Sequence, residues 1–269
     1  FSQFTADRKR DLLKEVAWHF HIDGRRYFPE AELLHLVAGF LPTIDIPSSE
    51  SKAILEEIAA QYGLLKVQAH GWYGFLHLTF QEYLAALAAN EKGAAGLQEV
   101  GSHRSDSWWE EVILLLAGRI HDATPLLLGL LGHSTDQPLP LGKLAAKDDL
   151  FHSDLLLAAR CLEGTPIIRM RGLRDRLLTE VKNLLHSSFY KLDWERTYTV
   201  LVEIGGGGIK DELLAMVAGK NVERWKRWRI GSAFEELGDQ SVAARLLELL
   251  ERVELDVLVR GCIVSALAE

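Results

Sequence analysis

Cysteine is scarce here. Cys161 and Cys262 stand about a hundred residues apart in apolar surroundings, which predicts buried free thiols in a reducing compartment and excludes a disulfide framework or a Cys-rich zinc module. Long apolar runs are missing as well. No stretch nears the roughly twenty residues that a transmembrane helix requires, and no signal-peptide pattern follows Phe1, so a cytoplasmic protein without membrane partners is expected. Positive charge is not in excess: 30 Lys and Arg stand against 38 Asp and Glu, a net charge of −8, so nothing global points to nucleic acid or an anionic membrane. A phosphate-binding loop is absent too. The run Gly205-Gly206-Gly207-Gly208-Ile209-Lys210-Asp211 has Ile209 where a Walker A motif needs glycine and Asp211 where it needs Ser or Thr, and it reads as an interhelical turn. The chain is therefore not expected to hydrolyse nucleotide alone. His19-Phe20-His21 offers two imidazoles, but alternate positions on a helix diverge and no cysteine or acidic cluster supports them, so no metal site is expected.

What is present suits a sizeable core. Apolar residues make up 48% of the 269 and charged residues 25%, enough for one large domain or two to three smaller ones. The start at FSQFTADRKRD reads as a domain boundary. A helix is predicted over 6–21, with Leu12, Leu13, Val16, Ala17 and Phe20 on one face, Asp7 near its start and Asp23-Gly24 after its end. Pro29 opens a second helix with Leu33, Leu34, Leu36, Val37 and Phe40 apolar, and Pro42 ends it. Ser48 or Ser49 is expected to cap a third, buried through Ala53, Ile54, Ile58, Ala59 and Tyr62 and stopped by Gly63. Aromatic and β-branched residues broken by His70-Gly71 then form a hairpin over 64–78. Three helices and a hairpin make a winged-helix outline. DNA binding is a poor fit, because the helix that would read bases carries Glu50, Glu56 and Glu57 against Lys52 and would repel phosphate.

The segment around which the rest is organised is GFLHLTFQEYLAALAAN, 74–90. Thr79 can cap a helix, Glu82 follows three residues on as in a capping box, and Phe80, Tyr83, Leu84 and Leu87 form an apolar stripe expected to be core. His77 falls at the strand-to-helix junction, near amides that favour an anion. The stretch resembles the end of the winged helix in NACHT-type STAND signalling NTPases, the NLR-like proteins. Phe75, His77, Thr79, Phe80, Gln81, Glu82, Tyr83, Leu84, Ala85 and Ala86 fill the family's places. The resemblance continues at Trp109-Glu110-Glu111-Val112, where the family often carries a Trp-x-Glu-Val helix. It implies that His77 approaches the β-phosphate of ADP and holds a closed state; an ordinary junction histidine bonded to backbone is the other reading. It also implies an upstream P-loop domain that supplies the ADP or ATP and Mg contacts, an NTPase activity of the full-length protein, a cytoplasmic role in signalling and defence, and homo-oligomerisation on activation. No cofactor is expected within the present chain.

Glu91 to Asp106 is richer in Gly, Ser and charge and reads as a connector, followed by apolar helices over 108–118 and 123–131 and a loop marked by Pro138 and Pro140. After residue 151 the chain is repetitive. Ile209, Leu213, Leu214, Met216 and Val217 fall on Val242, Leu246, Leu247, Leu249 and Leu250 at an offset of 33, and Arg227, Ile230, Ala233 and Phe234 on Arg260, Ile263, Ala266 and Leu267. Helical pairs at this spacing predict an α-solenoid that resembles short HEAT-like repeats. The copies at Phe151 to Glu163 and Pro166 to His186 are irregular, and the end at Glu269, after one helix of a unit, leads us to expect further repeats. Trp225-Lys226-Arg227-Trp228-Arg229 offers a ligand-facing basic patch at Lys226, Arg227 and Arg229, with the tryptophans expected between units and the cations in water. The expected organisation is a mainly α chain: a winged helix with a small β-hairpin over 1–90, a helical connector over 91–150 and HEAT-like repeats over 151–269. Two functions compete on these residues: the regulatory and sensor part of a NACHT NTPase, with the solenoid taking a protein or other ligand, and a free-standing protein-binding scaffold.

Overall fold

The computed structural model describes residues 4–187, 191–204, 207–219, 221–237, 243–252, 255 and 257–267. The described residues are mainly helical, with one three-stranded antiparallel sheet among them, near the N-terminus. It forms two compact units, Phe1–Thr197 and Tyr198–Glu269.

The first unit begins with α1 (Ala6–Ile22), capped by Thr5, whose hydroxyl oxygen accepts the Arg8 amide at 3.4 Å. Leu12, Leu13, Val16, Ala17 and Phe20 are buried, as the apolar spacing requires. A short strand β1 (Tyr27–Pro29) leads into α2 (Glu30–Phe40), whose N-cap is Pro29. A 3-10 turn over Leu41–Ile44 contains Pro42 and closes at Asp45 with φ of 59°. The third helix, α3 (Ser51–Tyr62), begins later than its serines suggest. Ser48 lies in a preceding 3-10 turn and donates its hydroxyl to the Ala38 carbonyl at 2.8 Å, so no side chain caps α3. Gly63, at φ of 59°, ends it as expected.

The hairpin is β2 (Leu65–Ala69) and β3 (Trp72–Phe75), with a register shift between Val67 and Ala69. β3 is central, because β1 pairs on its other edge with Phe28 opposite Tyr73. β1 has three residues ending in proline, too short for a periodic signal. Gly74 lets it in: a Cβ there would lie 2.8 Å from the Tyr27 ring and 3.0 Å from the Arg26 carbonyl oxygen.

α4 (Leu78–Glu91) packs between α1 and α6 (Glu110–Ala117). Alanines serve that position: Ala85, Ala86, Ala88 and Ala89 are all buried, allowing close approach on more than one side. α5 (Ala94–Ser102) packs on α4 through Gly96, where a methyl group would fall inside the Ala89 carbonyl. Further helices are α7 (Thr124–Leu130), α8 (Ser153–Arg160) and α9 (Leu173–Ser187), and then α10 (Lys191–Ile204), which ends in the second unit. Cys161, next to α8, is fully buried and its thiol is pushed up to about 12 by desolvation, an inert group at neutral pH.

The second unit continues with α11 (Gly207–Ala218), α12 (Arg224–Leu237), α13 (Ala243–Arg252) and α14 (Val257–Ala266). α12 packs on α11 and α14. Gly207 and Gly208 lie in α11, whereas Gly205, Gly206, Gly238, Asp239, Val242 and Glu269 lie outside the described residues. Among the described residues no helix is long and apolar enough to cross a membrane.

Candidate functional site

The junction between β3 and α4 is built on a wall of aromatic rings. Phe75 is buried edge-on to Phe28, with ring centroids 6.3 Å apart, and Phe28 stacks on Phe20 at 3.9 Å. The Leu76 amide donates to the Leu64 carbonyl at 2.8 Å, which fixes the exit from the strand. His77 follows as the N-cap of α4, in extended backbone with φ of −127° and ψ of 144°. Its carbonyl accepts the Phe80 amide at 3.1 Å. The imidazole is exposed, 5.9 Å from the Phe80 ring, and has no hydrogen-bond or ion-pair partner among the described residues. No side chain caps α4, so its first amides retain their hydrogen-bonding capacity toward solvent or a ligand.

Two expectations at this helix are corrected. Thr79 is not the cap, because the helix starts at Leu78 and Thr79 lies exposed in its first turn. Glu82 thus sits too far along to complete a capping box. It is half-buried, and desolvation, assisted by Glu111 and opposed by Arg26, raises its carboxyl above the usual range. Phe80 is not core either, being 37% exposed. The buried stripe is Gln81, Leu84, Ala85, Ala88 and Ala89, rotated from the expected one because α1 and α6 enclose the alanine side of the helix. Tyr83 stays half-buried beneath the Arg119 guanidinium, which lies 4.5 Å from its ring centroid.

Gln81 is the junction's anchor. Fully buried, it donates its side-chain amide to the Arg25 carbonyl at 2.9 Å and ties α4 to the loop before β1. Arg25 in turn clasps Glu32 through two bonds of 2.7 and 2.6 Å and reaches Asp23 at 2.6 Å, and this clasp holds the Glu32 carboxyl below its ordinary value. His19 joins the same cluster 3.8 Å from Glu32. Ligand atoms of His19, Asp23 and Glu32 lie within 4.8 Å of one another, and the Arg25 guanidinium pairs with both carboxylates, so this is an ion-pair cluster.

His21 plays a different part from its neighbour His19. It is fully buried, stacked on Trp108 at 4.7 Å and edge-on to Trp109 at 4.7 Å, while His103 stacks on the other side of the box against Trp109 at 4.3 Å. The Trp108 indole donates to the His21 carbonyl at 2.9 Å. Among the described residues neither ring nitrogen of His21 has a hydrogen-bond partner, and burial lowers its pKa to about 4. This aromatic box joins the winged helix to the helices after it.

The residues of the expected basic patch do not present themselves alike. Lys226 is buried, 3.3 Å from Glu223 and 5.6 Å from the Trp225 ring centroid; Arg227 and Arg229 are half-buried, and Trp228 is the exposed member at 38%. The lysine stem, not the second tryptophan, fills the apolar side of α12.

Residues 4–89 match the model of a protein family described as the winged helix-turn-helix domain C-terminal to NACHT. No curated protein and no solved structure matches the chain. A domain of this kind is not itself a P-loop catalytic domain. The match spans α1, α2, α3, the hairpin and nearly all of α4, the elements that hold His77 and Gln81 in place. From Phe4 to Ala89, therefore, the chain is similar to the winged helix-turn-helix domain C-terminal to NACHT, and it continues into a run of helices.

Proposed function

We propose that the winged helix holds an upstream NACHT nucleotide-binding domain in its ADP-bound, inactive state, and that the helices after it receive the signal that ends that state. The observation that carries this reading is the β3–α4 junction. An exposed imidazole without a hydrogen-bond or ion-pair partner among the described residues stands at the N-terminus of a helix that no side chain caps, and it can donate a hydrogen bond to a phosphate oxygen while the helix end favours the negative charge. ADP or ATP and Mg would be held by the upstream domain in cis, with His77 as the contact from this side. Phe75 and Gln81 fix the backbone on either flank and position the ring. Release of the contact shifts the population toward an open form able to self-associate.

The 33-residue recurrence of the apolar pattern in the sequence supports HEAT-like units as the receiving surface for a protein or other ligand. The same recurrence favours a second reading, a free-standing scaffold with no nucleotide dependence. His77→Ala in the complete protein separates the two. Removing a hydrogen bond to a charged group costs on the order of 1–3 kcal/mol, so the closed form should lose roughly 5- to 150-fold in its favour. The variant should copurify with less ADP and oligomerise without stimulus while melting at the wild-type temperature. Unchanged ADP content would reject the clamp.

A further inference from the structure

Beside the junction, and separate from His77, a cavity of about 540 Å³ opens between α1, the start of the hairpin, α4 and α6. Its walls are Leu13, Leu64, Phe80, Tyr83, Leu84 and Leu115. Phe80 is exposed and Tyr83, Leu64 and Leu115 are half-buried because none of the described residues covers this side of them. Single exposed apolar residues are ordinary on a protein surface, but a concave group of this volume is not. Its size falls in the range of roughly 300–1,000 Å³ of small-molecule sites, which are apolar with few polar groups at fixed points.

The charge at its rim restricts the ligand. Both charged residues that line the cavity, Lys9 and Arg10, are cations, in a chain of net charge −8. Lys9 is committed: its amine is bonded to Glu57 at 2.5 Å and lies 5.6 Å from the Phe4 ring centroid. Arg10 pairs with Asp7 at 3.1 Å through side chains that are 60% and 82% exposed, a contact that water and salt readily exchange. Its guanidinium can turn to an acid at the mouth of the cavity. We propose that the winged helix binds a small amphiphile with one aliphatic chain and one carboxylate, the chain among Leu13, Phe80, Tyr83 and Leu115 and the acid group against Arg10. Such a ligand would sit across α1 and α4 against Phe80, whose ring centroid lies 5.9 Å from that of His77, so its occupancy can be felt at the junction.

Isothermal titration of the whole chain with octanoate, decanoate, dodecanoate and dodecanol, below micelle formation, tests this. Filling an apolar cavity predicts a gain in affinity of about fourfold for each added methylene. The exposed ion pair predicts that dodecanoate binds about fivefold tighter than dodecanol, and that Arg10→Gln abolishes this difference without weakening dodecanol. Thr79→Trp places an indole from an exposed wall position into the mouth and should eliminate all binding with the melting temperature retained. The proposal is overturned by absence of dodecanoate binding, by affinities independent of chain length, by equal binding to Thr79→Trp, or by a sedimentation profile in which Thr79→Trp dissolves a dimer that covers the cavity in the wild type.

Discussion

Acid should loosen the winged helix through one residue, His21. Its ring is fully buried between Trp108 and Trp109 with both nitrogens unpaired. Burial, the largest influence, lowers its pKa from 6.5 to about 4, with the Trp108 backbone opposing. The unfolded chain therefore binds the extra proton between these values, and the folded chain does not. Stability from this site is complete above about pH 6.5 and is lost as the pH falls toward 4. The shift corresponds to roughly 3 kcal/mol over the whole window and about 2 kcal/mol by pH 5. His21→Phe keeps an aromatic ring in the box and removes the titration. It loses two buried unpaired nitrogens and adds ring volume, effects of about 1–3 kcal/mol each with opposite sign, so its stability near pH 7.5 should differ little from wild type. The assay is hydrogen exchange of α1 at pH 7.5 and pH 5, corrected for intrinsic rates, which reads local opening without assuming that the two units unfold together. The α1 opening free energy should fall by about 2 kcal/mol more in the wild type than in the variant. Equal losses would refute the reasoning, because the acid sensitivity would then come from other groups.

Four further substitutions test the packing. Phe80→Ala should cost no more than about 1 kcal/mol in urea unfolding, since the ring is already 37% exposed, whereas Phe75→Ala should cost about 3–5 kcal/mol. A large loss for Phe80→Ala would mean that its ring is buried in solution. Gly96→Ala should lower the melting temperature strongly, because the added methyl overlaps the Ala89 carbonyl and backbone, not a side chain, must give way. Gln81→Leu should weaken the junction by about 1–3 kcal/mol, by leaving the Arg25 carbonyl without its donor; unchanged exchange at the loop before β1 would show that the bond is not a tether.

Much of the winged helix is legible in the sequence because its elements announce themselves locally. The 3.6-residue spacing of Leu12, Val16 and Phe20, the φ-restricted Pro29, the left-handed Gly63 and the His70-Gly71 turn each act within a few residues. His77 falls at the junction for the same reason. What stays hidden depends on distant partners. The Thr79-x-x-Glu82 pattern satisfies a local capping rule, yet β3 ends at Phe75 and delivers the chain into a helix at Leu78, so the rule has no terminus to act on. Which side of α4 is core is decided by α1 and α6, and that contact demands alanine where Phe80 would not fit. His21 looks like one half of a helix-end pair with His19, and the Trp108 indole that holds its carbonyl comes from 87 residues away. The adjacent tryptophans at 108 and 109 were the available signal. Lys226 reads as a surface cation, but its partner Glu223 lies three residues earlier and lets it lie down against its own helix.

The most direct test of the proposed clamp is to measure whether this chain binds the nucleotide-binding domain that the proposal places upstream, in a nucleotide-dependent way. The two pieces, produced separately, are titrated by calorimetry with the nucleotide-binding domain loaded with ADP or with a non-hydrolysable ATP analogue. Association in the ADP state that weakens at least fivefold with the ATP analogue, and equally with His77→Ala in the ADP state, is the predicted result. Equal affinity in both nucleotide states, or association indifferent to His77, would contradict the account.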